Sequence, residues 1–289
     1  MLINNGESLL LTDPWYNRPA CGQWLPSPPS CIHPVHLLSL AQDNADNFSV
    51  LISNVDQDYF DEQYLKMFSK DINVIIPKRK STWLKDSIQI LGFNKIYEID
   101  HATNVNGNKI RSHPNGMLTI ETIDSFIIHC NKSLLFDESS VISIQKHMEN
   151  YKGRSIHVNG KADKIILAAQ INISEEDYPH IYSDYKDDDE QVLKNRVNKL
   201  YIDCINLGTN YLFYYGGHSN FHKQNKKIGG FKTSSFYKSL IKPHLVDKLV
   251  FVDLIPGYTF DFESTYGLFK NFNYSEDTLK NNSLTFYNQ

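Results

Sequence analysis

The stretch Val50-Leu51-Ile52-Ser53-Asn54-Val55-Asp56-Gln57-Asp58-Tyr59-Phe60-Asp61-Glu62-Gln63-Tyr64-Leu65 decides the fold. Val50 to Ile52 is apolar throughout and reads as a buried strand. Ser53 to Asp61 is a short polar loop. Asp61 to Ser69 reads as a helix, with Asp61 placed to accept a hydrogen bond from the free amides of its first turn. A strand therefore runs directly through an acidic loop into a helix.

Outward from this stretch the same alternation continues. Glu7 to Thr12 is a short strand that ends at Asp13-Pro14-Trp15. Pro19 to Pro34 contains five prolines and is expected to be an extended loop. Ile72 to Pro77 is a strand. Ser81 to Leu91 is an amphipathic helix stopped by Gly92. Lys95 to Ile99 is another strand. Met117 to Phe136 reads as a hairpin-rich run, and Ile144 to Tyr151 as a helix. Lys164 to Ala169 is a wholly apolar strand. Gln191 to Leu207 has helical spacing and ends at Gly208. Tyr211 to Tyr215 and Leu249 to Leu254 are late strands. Strand–helix alternation mixed with hairpins predicts two sheets flanked by helices.

Composition narrows the function classes. The 289 residues are 41% hydrophobic, enough for one large core, with a net charge of −4 and a pI near 6.2. No basic block supplies the electrostatic footprint of a nucleic-acid binder. Basic residues cluster in Lys223 to Lys232, around Gly229-Gly230, which reads as a mobile loop. No apolar run approaches the roughly 18 residues of a membrane span. The opening MLINNGESLLLTD lacks a basic region followed by a cleavable apolar core, so a cytoplasmic location is expected. Four cysteines (Cys21, Cys31, Cys130, Cys204) show no disulfide or zinc spacing. No Gly-x-Ser-x-Gly, Walker A or Gly-x-Gly-x-x-Gly motif occurs.

The landmarks together resemble the metallo-β-lactamase superfamily, in the branch of CMP-N-acetylneuraminate hydroxylase, with ascorbate-phosphate lactonase as a more distant relative. Leu10-Leu11-Thr12-Asp13-Pro14-Trp15 followed by Pro19-Ala20 and Trp24-Leu25 is similar to the opening of that branch. Ser53 to Asp61 occupies the place of its Ser-His-x-His-x-Asp-His loop. Asp124 to Ile128 followed by Leu134 to Asp137 resembles the strand pair that ends at a metal-bridging aspartate. Tyr178-Pro179, Tyr214 to His218 and Pro256 to Asp261 resemble later loops of the branch. The resemblance spans residues 8–262 and implies one αββα sandwich domain, α+β in class, with residues 263–289 as a C-terminal extension. No Cys-x-His pair has a matching second, so the Rieske-type chemistry of the hydroxylase is not expected.

The resemblance also shows what has changed. Asn54, Asp56 and Tyr59 stand where the superfamily has histidines, and Asp58 and Asp137 stand where it has carboxylates. His218 is the candidate late ligand, with His222 four residues on; Gly216-Gly217 and Asn220 argue for a loop there. The expected state is metal-free. The alternatives are one hard cation on Asp13, Asp56, Asp58 and Asp137, or one divalent ion (Zn, Mn, Fe or Mg) on Asp58, Asp137 and His218. Two carboxylates ~5 Å apart repel by roughly 3 kcal/mol at an effective dielectric near 20. Without a metal, the cluster therefore requires a cationic neighbour, expected to be His218 or Lys223, or an outward turn of Asp56.

The expected function is binding or modification of a small polar metabolite, such as a sugar, nucleotide-sugar or biosynthetic intermediate. Asp56, Asp58 and His218 are the expected catalytic residues. Asn54, Tyr59, Trp24, Tyr178, Tyr215, His222 and Asp261 are the expected binding residues. The alternatives are a one-metal hydrolase, or a non-catalytic partner of an active paralogue. A homo-oligomer is the other partner expectation.

Overall fold

The computed structural model describes residues 1–16, 24–26, 34–56, 59–122, 125–130, 137–158, 164–169, 188–215, 219–223, 226–229, 238–243, 249–254, 258–260 and 268–270. In chain order the elements are β1 (Leu2–Asn4), β2 (Leu9–Thr12), β3 (Trp24–Pro26), α1 (Pro34–Asp43), β4 (Phe48–Leu51), α2 (Glu62–Leu65), β5 (Asn73–Pro77), α3 (Trp83–Ile90) and β6 (Ile96–Ile99). They continue with β7 (Ala102–Val105), β8 (Asn108–Ser112), β9 (Leu118–Glu121), β10 (Ser125–Cys130), α4 (Glu138–Val158), β11 (Lys164–Ala169) and α5 (Asp188–Leu207). The last are β12 (Tyr211–Tyr215), β13 (Ser219–Lys223), β14 (Lys226–Gly229), β15 (Val250–Leu254), β16 (Tyr258–Phe260) and β17 (Leu268–Lys270).

The first sheet has the order β1-β2-β4-β5-β6. β2, β4, β5 and β6 are parallel, and β1 is antiparallel to β2. The second sheet has the order β15-β12-β11-β10-β9-β8-β7. Its β7-to-β10 half is antiparallel and its β10, β11, β12, β15 half is parallel. A three-stranded sheet, β14-β13-β3, and the β16-β17 pair complete the pairing among the described residues.

Period-two alternation explains why the strands are apolar on both faces. In β4, Leu51 points between the sheets, where it meets Leu10, Ile75, Leu118, Ile120, Ile127 and Phe213. Its neighbours Val50 and Ile52 point the other way, onto Leu65, Leu84 and Ile88 of α2 and α3. The second sheet repeats the arrangement: Ile127 faces inward, whereas Phe126, Ile128 and Cys130 pack on Ile144 and Met148 of α4 and Leu200 and Tyr201 of α5. Helices, sheet, sheet and helices are thus stacked as an αββα sandwich. Cys130 and Cys204 are free and buried in this outer core. Burial pushes both thiols up, so they remain protonated and pack as small apolar groups.

Several elements depart from the sequence reading. Pro34 opens α1, because a proline at a first helical position loses no hydrogen bond; the proline-rich reading had absorbed it into a loop. α4 begins at Glu138, well before Ile144, with Asp137 as its cap. α5 begins at Asp188, three residues before Gln191. β7 and β8 form a hairpin that the sequence reading passed over. Its turn is Asn106-Gly107, at φ 50° and 75°, a type I′ signal. Part of the basic run Lys223 to Lys232 is not a loop but the β13–β14 hairpin, with Lys223 paired to Lys226. His222 accordingly lies on a strand. Among the described residues no helix is long and apolar enough to cross a membrane.

Candidate functional site

The carboxyl ends of β2, β4, β5 and β10 meet along one edge of the sandwich. Asp13 follows β2 and adopts a left-handed backbone, φ 45°, which a short polar side chain tolerates. Its amide donates to Leu51 O at 2.8 Å, which turns the carboxylate toward the loop after β4. There Asp13 Oδ1 accepts from Ser53 N and Ser53 Oγ, each at 2.7 Å, and Oδ2 lies 2.7 Å from the same hydroxyl. From the other sheet, His129 follows Ile127 in the inward phase of β10, and its Nε2 stands 3.3 Å from Asp13 Oδ2. Asp13, Ser53 and His129 are all buried. The Ser53 hydroxyl donates to the carboxylate, not to the imidazole, so this set is no activated-serine arrangement. It ties the two sheets together and supports the layer above it.

That layer is Asn54, Asp56 and Arg79. Asn54 and Asp56 are partly exposed and Arg79, just past β5, is exposed. Arg79 Nη2 donates to Asn54 Oδ1 at 3.1 Å and to Ser53 O at 3.4 Å. The other end of the Asn54 amide, Nδ2, donates to Asp56 Oδ2 at 3.0 Å. Guanidinium, carboxamide and carboxylate are thus in series across the loop. Asp56 O accepts from Tyr59 N and Phe60 N at 2.9 and 2.8 Å, which winds the loop into a turn before α2. Asp61 then caps α2 through Tyr64 N at 3.1 Å and accepts from Tyr16 N at 3.3 Å.

The predicted site residues divide accordingly. Asn54 and Asp56 are brought together. Tyr59 is at 0% exposure, so its ring is a core element under the loop. Asp137 caps α4, accepting from Ser140 N at 2.6 Å and Ser139 Oγ at 2.8 Å; these bonds hold its carboxyl below the usual carboxylate range. Trp24 and His222 lie on paired strands, with Phe221 opposite Trp24, and Tyr215 ends β12 opposite Leu254 of β15. Asp58, Tyr178, His218 and Asp261 lie outside the described residues. The cation expected to face the carboxylates was His218 or Lys223; the described cation nearest the loop is Arg79, on Asn54 and Ser53. It and His129 were missed. The basic triple Lys78-Arg79-Lys80 immediately after a predicted strand was the available signal for Arg79. His129 had none, because FIIHC carries no polar alternation to show its phase.

The residues here can be tested against the metal that the fold implies. Of the described candidates, Asp13 and Asp137 each spend oxygens on protein donors, and Asn54 Oδ1 accepts from a guanidinium. A cation bound at that oxygen would sit against the Arg79 charge. Among the described residues no group of three or more His, Cys, Asp or Glu side chains is placed to hold a metal. The described loop residues therefore do not fit the metal set.

A second buried polar network lies on the opposite face of the second sheet, under α4. His113 Nδ1 lies 2.9 Å from Ser143 Oγ and its Nε2 lies 2.8 Å from Thr119 Oγ1. Thr119 Oγ1 lies 2.9 Å from His147 Nδ1, and His147 Nε2 meets Glu121 Oε1, which Lys109 Nζ also approaches at 3.2 Å. Burial, then the charges of His147 and Arg111, lower His113 to about 4. Burial alone would raise Glu121, but its bonds and charge attraction to His147 and Lys109 outweigh this and lower it to about 2. The network pins α4 to β9. A hollow of about 370 Å³ lined by Leu38, Gln42, Met67 and Phe68 lies between α1 and the segment that follows α2, away from the candidate site.

An isothiocyanate hydrolase from Delia radicum gut bacteria superposes with a TM-score of 0.51 at 14% identity, over 86% of this chain and 92% of that one. This chain has the metallo-β-lactamase-type fold. A possible metal-dependent hydrolase from Veillonella parvula matches at a TM-score of 0.35 and 15% identity, over 57% of this chain and 80% of that one. No protein-family model and no curated protein matched the sequence.

Proposed function

We propose that this chain is a diverged metallo-β-lactamase-fold protein that binds or modifies a small polar metabolite at the strand-end edge, without two-zinc hydrolysis. The metabolite class is a sugar, nucleotide-sugar or biosynthetic intermediate, met in the cytoplasm. The observation that carries the reading is the Arg79–Asn54–Asp56 series, in which a guanidinium provides positive charge beside the position of a superfamily histidine. Asp56, partly exposed and steadied by Asn54, is the proton-transferring group. Asp58 and His218 complete the reacting set, and Trp24, Tyr178, Tyr215, His222 and Asp261 shape the ligand's surroundings. Tyr59 supports the loop from below.

The test is metal content of the untagged protein after growth with added Zn, Mn and Fe, beside a D58A/D137A double variant, together with a thermal-shift screen of sugars and nucleotide-sugars. Absence of stoichiometric metal, with a ligand response lost in N54A, supports the reading. About one equivalent of metal that disappears in the double variant overturns it in favour of a hydrolase using Asp58, Asp137 and His218. Co-purification with a catalytically active paralogue, and no ligand response, favours the partner-subunit role.

A further inference from the structure

We propose that Arg79 is an oxyanion-binding residue and that the metabolite carries a phosphate or carboxylate group. The inference rests on the reading above and deepens it. Two lysines near Arg79 in the chain are paired with acids: Lys78 lies 2.9 Å from Asp100, and Lys85 lies 2.6 Å from Glu98. Arg79 pairs with no carboxylate among the described residues. Its two acceptors, Asn54 Oδ1 and Ser53 O, are both neutral and both take hydrogens from Nη2. The Nε hydrogen and both Nη1 hydrogens, together with the full charge, are left without an acceptor among the described residues. Nη1 can give a charge-assisted hydrogen bond to an oxygen of a phosphate or carboxylate.

An exposed arginine normally loses side-chain freedom when it captures an anion. This one is already held at the mouth of the site by the loop it would serve, so the ordering cost is reduced. Lys80, one residue on and exposed, adds a second charge at the same strand end. The location is the carboxyl edge of a parallel run, where ligands of open α/β sheets settle. Asp56 carries a negative charge nearby, but Asn54 Nδ2 stands between it and the guanidinium. Among the described residues Arg79 therefore remains the group available to an incoming anion, and a neutral ligand would leave its charge unpaired.

The experiment titrates the full chain with inorganic phosphate and, separately, citrate, with NaCl holding ionic strength constant, and reads the melting temperature and calorimetric affinity. The expected result is saturable binding of at least one anion, weakened about tenfold or more in R79Q, partly restored in R79K and unchanged in K78Q. Preference for phosphate or citrate separates a phosphorylated from a carboxylated metabolite. If R79Q does not fold, ¹⁵N spectra of the unmodified protein decide, since an anion bound at the guanidinium shifts the Arg79 Nε–H resonance. Absence of saturable binding, equal binding in R79Q, or an unmoved resonance overturns the proposal. Binding of neutral sugars through Asn54 without any anion effect would sink this proposal and leave the proposed function standing. A stoichiometric metal alongside an Arg79-dependent anion effect would do the reverse.

Discussion

His129 and Asp13, 116 positions apart in the chain, meet between the sheets with Nε2 3.3 Å from Oδ2 and neither side chain accessible to solvent. Asp13 also holds Ser53 N and Oγ. Removing one partner of such a set leaves the others buried without hydrogen bonds, at a cost of about 3–5 kcal/mol. D13A is expected to lose stability on that scale in chemical denaturation, because it also places an alanine at positive φ. D13N, which tolerates that backbone, is expected to lose less. Equal stability of D13A and the unmodified protein would refute the tether.

Acid should loosen the contact between α4 and the second sheet. His113 is lowered from 6.5 to about 4, so between those values the unfolded chain binds the proton more readily than the folded one. Stability from this group is at its highest above pH 6.5, falls as pH drops, and levels off below about 4, a total of about 3 kcal/mol. Glu121, lowered from 4.5 to about 2, adds a further loss as pH falls through that lower window. Urea midpoints measured from pH 8 to 3 should show both phases, and H113Q should flatten the upper one. A profile identical in H113Q would show that another group titrates there.

Thr119 is the hydroxyl shared by His113 and His147. T119V keeps its shape and removes both bonds, leaving two ring nitrogens unsatisfied at about 1–3 kcal/mol each. The variant should unfold earlier in urea, whereas a variant of an exposed threonine should not.

At Gly107, φ is +75° and an added Cβ would lie 3.7 Å from Glu7 Oε2, so space is available and only the backbone resists. G107A is expected to cost about 1–2 kcal/mol through the left-handed conformation alone. G107N, compatible with that region, should recover part of it. A full loss in both variants would point to packing instead.

Asp137 acts as the N-cap of α4 in this structure, so D137A should lower the melting temperature modestly while D137S or D137N retains most of the stability. If Asp137 instead held a metal, serine would fail to rescue and bound metal would fall with it. Melting curves and metal content on the same three samples separate the two roles.

Much of the architecture was legible because buried strands write themselves as unbroken apolar runs. VLIS at 50–53, INVIIP at 72–77 and KIILAA at 164–169 can be buried only on both faces, and the segments between them have helical spacing. Their order predicted two sheets inside two helical layers, and it put the acidic loop at a strand end. The same unbroken runs hide their own phase. Nothing in FIIHC distinguishes the inward His129 from the outward Cys130, and nothing in a list of neighbours says that Arg79 meets Asn54 from 25 positions away. Pairing of parallel strands aligned their carboxyl ends, and the alternation of the pleat turned Asp13 and His129 toward each other. The chain alone thus determined the apolar strands of both sheets, most of the helices and where the acidic loop lies. Tertiary structure decided which polar groups converge there, because that follows from strand register and face, which apolar sequence does not encode residue by residue.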